Sequence, residues 1–209
     1  MQPEYEKLPY KIAARKLNME LYFQLTGNRS IPLSKEYWTL CNEQTTSDDS
    51  EIMQLVNAGF LIKNQFCGVD RDKDKKGRSL GIIDRNKARH PEARWERGDW
   101  LSVIESPVIP FNPAMIYLDS TSFVDTIRAA DLTVRTMLRC QPKTLLLSNF
   151  ILNNPRGKQH FDPYKLIENI AMQMPSREFQ TWKKEICNYN YCATGITKLK
   201  TFVWFKESI

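Results

Sequence analysis

Three aspartates stand at or just past the ends of short apolar runs. Asp70 closes Gln65-Phe66-Cys67-Gly68-Val69, Asp99 follows Ala93-Arg94-Trp95-Glu96-Arg97-Gly98, and Asp119 closes Ala114-Met115-Ile116-Tyr117-Leu118. If these runs are successive strands of an open α/β sheet, the carboxylates share its carboxyl edge, where ligands bind. A carboxylate after one strand can accept hydrogen bonds from both hydroxyls of a ribose. A carboxylate after the next can accept from an exocyclic purine amine. Any single strand-end Asp also serves as a helix N-cap or turn former. Recurrence in consecutive units, with Gly68 and Gly98 nearby, favours a shared nucleoside site. Trp100 could lie against a purine face or belong to the core.

A second segment, Ser148 to Phe161, sets Arg156, Lys158 and His160 beside Phe150 and Phe161. Cations interleaved with aromatics suit phosphate contact and base stacking, although turn residues in a surface loop look similar. Other chemistries lack their parts. There is no P-loop and no GxGxxG fingerprint. His160 has no evident Ser or Cys partner for a triad. Five Cys without a CxxC, and two His, argue against a zinc site or a disulfide framework, and for a reducing compartment, the cytoplasm.

The elements that must hold these residues can be read in order. Residues 8–26 form an amphipathic helix with Ile12, Ala13, Leu17, Met19, Leu21, Tyr22 and Leu25 as its apolar stripe. A strand at Tyr37–Cys41 leads to a helix from Glu51 with Asp48, Asp49 or Ser50 as N-cap. A strand ending at Asp70 precedes a basic helical stretch that ends near His90. A short strand ending at Asp99 is followed by a helical turn over Leu101–Ile104. The strand at Ala114–Asp119 precedes a helix at Val124–Arg139, with Asp119 to Ser122 as its cap cluster. Lys143–Phe150 is a doubly buried strand. A helix at Asp162–Met174 follows, and two strands at Phe179–Tyr191 and Leu199–Lys206 make an antiparallel pair around Gly195. The expected fold is α/β: a doubly wound, mostly parallel seven-stranded sheet, helices on both faces, and an antiparallel C-terminal hairpin. Residues 1–36 read as an N-terminal helix and linker, and 37–209 as the α/β domain. The aromatics of the last strand would aggregate on a bare edge, so a central position or a homodimer contact should cover them.

The chain has 209 residues, 42% of them hydrophobic and 26% charged, which fits one globular domain with at most a small appendage. No run of about 18 apolar residues exists, so no membrane span is expected. The N-terminal stretch has no apolar core of a secretory leader. Net charge is +6 and the pI about 9.0, with cations gathered between Arg71 and Arg97; this weakly favours a polyanion such as nucleic acid, or is simply a solvated face.

From Tyr37 to Lys206 the order of elements and the strand-end acids resemble class I S-adenosylmethionine-dependent methyltransferases. They are similar to small methyltransferase-like proteins of phages and mobile elements. The resemblance implies S-adenosylmethionine as cofactor. It places Asp70 and the following Arg71 at the ribose, Asp99 and Trp100 at the adenine, and Asp119 toward methionine and substrate as the catalytic residue. No metal is implied. The family's glycine-rich turn after the first strand is missing: Cys41-Asn42-Glu43-Gln44-Thr45-Thr46 has no Gly. Asn42 and Glu43, with Gln44, could hold the amino-acid end by side chains, or the pocket has decayed. On the substrate side the candidate residues are Thr121, Phe123, Asn149, Arg156 and Lys158. Asp119-Ser120-Thr121-Ser122-Phe123 lacks the prolines of an amine-methylating motif, and no Pro-Cys nucleophile for cytosine C5 is present. Asp119 with Lys143 could serve ribose 2′-O transfer. The implied function is methyl transfer to nucleic acid; the alternative is a non-catalytic module on the same fold that binds nucleic acid or protein.

Overall fold

Runs rich in aromatic and β-branched side chains bury on both faces and so become inner strands. In Glu36–Leu40 (β1), Tyr37, Trp38 and Thr39 are at most 1% exposed. Phe66–Asp70 (β2) and Pro113–Asp119 (β4) are equally closed until their terminal acids. The computed structural model describes residues 9–74, 76–119, 125–151, 161–187 and 199–208. With Arg94–Arg97 (β3), Leu145–Ile151 (β5), Trp182–Cys187 (β6) and Leu199–Lys206 (β7), the strands form a seven-stranded sheet of order β3-β2-β1-β4-β5-β7-β6. It is parallel at β3-β2-β1 and antiparallel at β5-β7-β6. The helices between strands are Glu51–Asn57 (α2), Ile82–Arg89 (α3), Trp100–Ile104 (α4), Thr126–Arg139 (α5), Pro163–Gln173 (α6) and Ser176–Gln180 (α7), after an N-terminal Pro9–Thr26 (α1). The chain groups into two compact units, Met1–Met115 and Ile116–Ile209.

The first unit centres on aromatic contacts. Trp38 meets Phe111 and Trp100 edge-on at 4.8 and 6.1 Å, and Phe66 tilts against Trp95 at 5.4 Å. Ser50 caps α2 by accepting from the Met53 N–H. The face that α1 buries matches the expected stripe only in part. Leu21 and Tyr22 are buried as expected, Tyr22 against Phe60, but Ala13 is exposed. On the Tyr22 side the buried face continues through Lys11, Arg15 and Asn18, each at most 4% exposed, and Arg15 reaches the Asp49 carbonyl at 3.4 Å. The basic stretch is helical only from Ile82; before it, Lys73 and Ser79 form an antiparallel bridge.

In the second unit β7 lies between β5 and β6, which buries Phe202, Val203 and Trp204 to 2% exposure or less. The aromatics are covered by the central position. The strand expected from Phe179 begins at Trp182, because Pro175 starts the short helix α7 and the Thr181 hydroxyl closes it on the Glu178 carbonyl. Helix α5 is capped by Asp125, which accepts from the Arg128 N–H at 2.8 Å, and not by the 119–122 cluster; residues 120–124 lie outside the described ones. The same holds for the Gly195 turn.

Candidate functional site

Strand β1 is the origin from which the order runs to β2 and β3 one way and to β4 the other. In such sheets ligands bind outside the carboxyl ends. Asp70 ends β2 there, half-buried. One of its carboxyl oxygens accepts from the Asp72 N–H; the other takes no hydrogen bond among the described residues. Burial pushes the Asp70 carboxyl up from its usual range, the Asp72 N–H pulls it back, and the charge of Asp72 pushes it up again. Arg71 is exposed and pairs with Asp99 at 2.9 Å. Asp99 is not the last residue of β3: it follows Arg97 by two residues and holds the N-cap position of α4 without a side-chain cap bond. Trp100 is 5% exposed and packs edge-on against Trp38.

Asp72 is a residue that the sequence pattern did not single out. Its backbone is left-handed at φ 53°, and its side chain is fully buried. It accepts from the Ile82 N–H at 2.7 Å and pairs with Arg97 at 2.9 Å. Gly81 at the N-cap of α3 has no side chain to offer, so Asp72 caps that helix from ten residues upstream. The signal was the Asp70-Arg71-Asp72 alternation, two acids of which only one faces outward.

The loop after β1 is held from one side by α3. The Glu43 carboxylate is clamped by Arg85 at 2.6 Å and Arg89 at 2.7 Å. These two guanidinium groups hold it below the usual carboxylate range, Arg85 foremost. Asn42 is exposed, but its carbonyl accepts from the Asn86 amide at 3.1 Å. Gln44 is fully buried. The His90 ring contacts the Thr45 carbonyl at 2.9 Å through Nε2, so that nitrogen carries the proton; burial holds the ring below its ordinary pKa.

In the second unit Asp119 ends β4 and is half-buried. The Asn149 amide on β5 donates to the Tyr117 hydroxyl at 2.8 Å and approaches an Asp119 carboxyl oxygen at 3.4 Å. Thr201, its register partner on β7, donates to the Asn149 carbonyl oxygen at 2.5 Å. The result is a buried polar relay, Thr201–Asn149–Tyr117, that fixes one acceptor carboxylate. Tyr117 and Thr201 were not expected to take part; only the pairing of β5 with β7 reveals them. Lys143 is not a partner of Asp119. It precedes β5, six residues before Asn149, which is roughly 20 Å along a strand. Thr121, Phe123, Arg156, Lys158 and His160 lie outside the described residues.

The cations between Arg71 and Arg97 are largely internal brackets. Arg78 pairs with Asp74, Arg85 and Arg89 with Glu43, Arg94 with Glu36, and Arg97 with Asp72 and Asp84. Lys73, Lys76 and Lys87 are exposed. Among the described residues no group of His, Cys, Asp and Glu could hold a metal, and no helix is long and apolar enough to cross a membrane. Cys41, Cys67 and Cys140 are buried free thiols.

No family model and no curated protein matches the sequence. Solved structures match it in fold. An S-adenosylmethionine-dependent methyltransferase from Clostridium acetobutylicum is 9% identical with a TM-score of 0.54, covering 96% of this chain and 93% of its own. The N-methyltransferase NodS from Bradyrhizobium japonicum, solved with S-adenosyl-L-homocysteine, is 8% identical with a TM-score of 0.56, over 96% and 89%. Streptomyces venezuelae DesVI is 10% identical at 0.56, over 94% and 92%. The chain therefore has the Rossmann-like α/β fold that the two methyltransferases share.

Proposed function

We propose that this chain is an S-adenosylmethionine-dependent methyltransferase whose substrate is a nucleic acid. The observation that carries the reading is Asp70: a half-buried carboxylate at the carboxyl end of β2, oriented through one oxygen and with the other open among the described residues. A carboxylate so held can accept from ribose hydroxyls, so the residues present fit the cofactor at this point. Asp99 would accept from the adenine amine, with Arg71 screening it and Trp100 bracing the turn from beneath. Asn42 and Glu43 would line the amino-acid end.

When bound, the cofactor supplies an electrophilic methyl group on a sulfonium. The chain has to position the acceptor in line with it. Asp119, fixed by the Asn149 relay, would orient an acceptor N–H or O–H and take its proton. Nucleic acid as substrate is supported by the net charge of +6 and the exposed Lys73, Lys76 and Lys87. Thr121, Phe123, Arg156 and Lys158 are the further substrate contacts that this reading expects. The free thiols suit a reducing cytoplasm.

A second reading, a non-catalytic module, is favoured by one observation: the Glu43 carboxylate is already paired with two arginines, and the net positive charge of that cluster disfavours a ligand ammonium there. Calorimetry with S-adenosylmethionine and S-adenosyl-L-homocysteine separates the two. The enzyme reading expects binding of both, weakened about tenfold or more in Asp70→Ala, and transfer of labelled methyl groups to DNA or RNA. Absent or millimolar binding of both ligands would overturn it, and an unchanged affinity in Asp70→Ala would overturn the ribose assignment.

A further inference from the structure

Residues 42–45 form an irregular, glycine-free stretch at the ligand edge, and backbone polar groups there still need partners. Helix α3 provides them. Asn86, fully buried, accepts from the Gln44 N–H at 2.7 Å and donates to the Asn42 carbonyl at 3.1 Å. Those are the two bonds that a neighbouring parallel strand would make to residues flanking Glu43. Arg89 donates to the Gln44 carbonyl at 2.9 Å, and His90 to that of Thr45. With Arg85 and Arg89 on Glu43, four side chains from one stretch of helix dictate the path of the loop.

We infer that Asn86 is a positioning residue for the ligand site: its carboxamide acts as a surrogate strand that shapes the loop after β1, a task glycines would otherwise perform by conformational freedom. Asn86 touches no ligand; it acts through Gln44 and Asn42. The inference rests on the reading of the site given above. A loop set in this way tunes affinity for the amino-acid end of the ligand and leaves the ribose grip of Asp70 alone.

The test joins amide hydrogen exchange to two ligands, S-adenosyl-L-homocysteine and methylthioadenosine, which lacks the amino-acid end. In the unmodified protein the Gln44 amide should exchange slowly although it belongs to no helix or strand. In Asn86→Ala it should exchange at least about tenfold faster, with the β2 amides of Cys67 and Val69 unchanged. Affinity for S-adenosyl-L-homocysteine should fall about tenfold, and that for methylthioadenosine by less than about threefold. Asn86→Asp keeps the acceptor for the Gln44 N–H and should retain its protection; it stands in if the alanine variant does not fold. Rapid exchange of Gln44 in the unmodified protein overturns the inference. So does an equal loss for both ligands, or no loss for either. If the unmodified protein binds neither ligand, the methyltransferase reading fails and the ligand half of this inference fails with it, while exchange alone decides whether Asn86 orders the loop.

Discussion

Replacing Gly68 with alanine should injure both the core and the candidate site. Gly68 is buried in the middle of β2, opposite Thr39 of β1 and Trp95 of β3. A methyl group there would lie 2.6 Å from Trp95 Cζ3, 2.8 Å from Trp95 Cε3 and 2.8 Å from Cys41 Sγ. The indole cannot swing away cheaply: its Nε1–H donates to the His90 carbonyl at 3.0 Å and its ring rests on Phe66. Overpacking of this kind costs about 2–3 kcal/mol, and for a chain of this length that lowers Tm by roughly 5–10 °C. Asp70 lies two residues on, on the same face of the strand, so a shifted β2 should also weaken S-adenosyl-L-homocysteine binding severalfold. Urea titration followed by circular dichroism gives the stability, and calorimetry the affinity. Gly68→Ala combined with Trp95→Phe should recover part of the loss, since the two positions share one contact. A single Gly68→Ala variant within about 0.5 kcal/mol of the unmodified protein would show that the indole does not need the missing side chain, and would refute the reasoning.

Asn149→Ala removes the acceptor of the buried Thr201 hydroxyl and a donor to the buried Tyr117 hydroxyl, and should cost about 1–3 kcal/mol; a urea midpoint within error of the unmodified protein would dissolve the relay. His90 has a folded pKa below its ordinary value of 6.5, from burial above all, so its neutral form contributes stability that is fully present above about pH 6.5. As pH falls below that value the unfolded chain takes the proton first, and stability drops by at most about 1.4 kcal/mol per pH unit. Urea midpoints at several pH values below 6.5 should show this slope in the unmodified protein and a flatter one in His90→Gln.

The sequence announces its inner strands because they are buried on both faces, and a run such as Ala114–Leu118 needs no partner to be recognised. Helix boundaries are legible where a local cap exists, as at Ser50 for α2. They are not where the cap comes from afar: α3 begins at Ile82 because Asp72 accepts its N–H, a pairing across a folded-back loop. The buried face of α1 is legible only in part. Hydrophobic periodicity assumes that apolar side chains choose the buried face; Leu21 and Tyr22 follow it, but Lys11, Arg15 and Asn18 are buried with them.

The candidate site follows the same division. In the sequence Asp70, Asp99 and Asp119 are equivalent, each an acid at a strand end, and only contacts distant along the chain separate them. Asp70 is half-buried and keeps an acceptor oxygen outside its internal bond, which is what the proposed ribose contact would need. Asp99 is a solvated partner of Arg71, and exposed pairs of that kind contribute about 0–1 kcal/mol. In the proposed site, breaking that pair to accept from a ligand amine would therefore cost little. Asp119 is held by the amide of Asn149, 30 residues away, whose orientation is fixed in turn by Thr201, 52 residues beyond it. The three carboxylates thus differ in burial and in internal hydrogen bonding, and it is these differences that the proposed roles of anchor, adjustable acceptor and oriented base rest on.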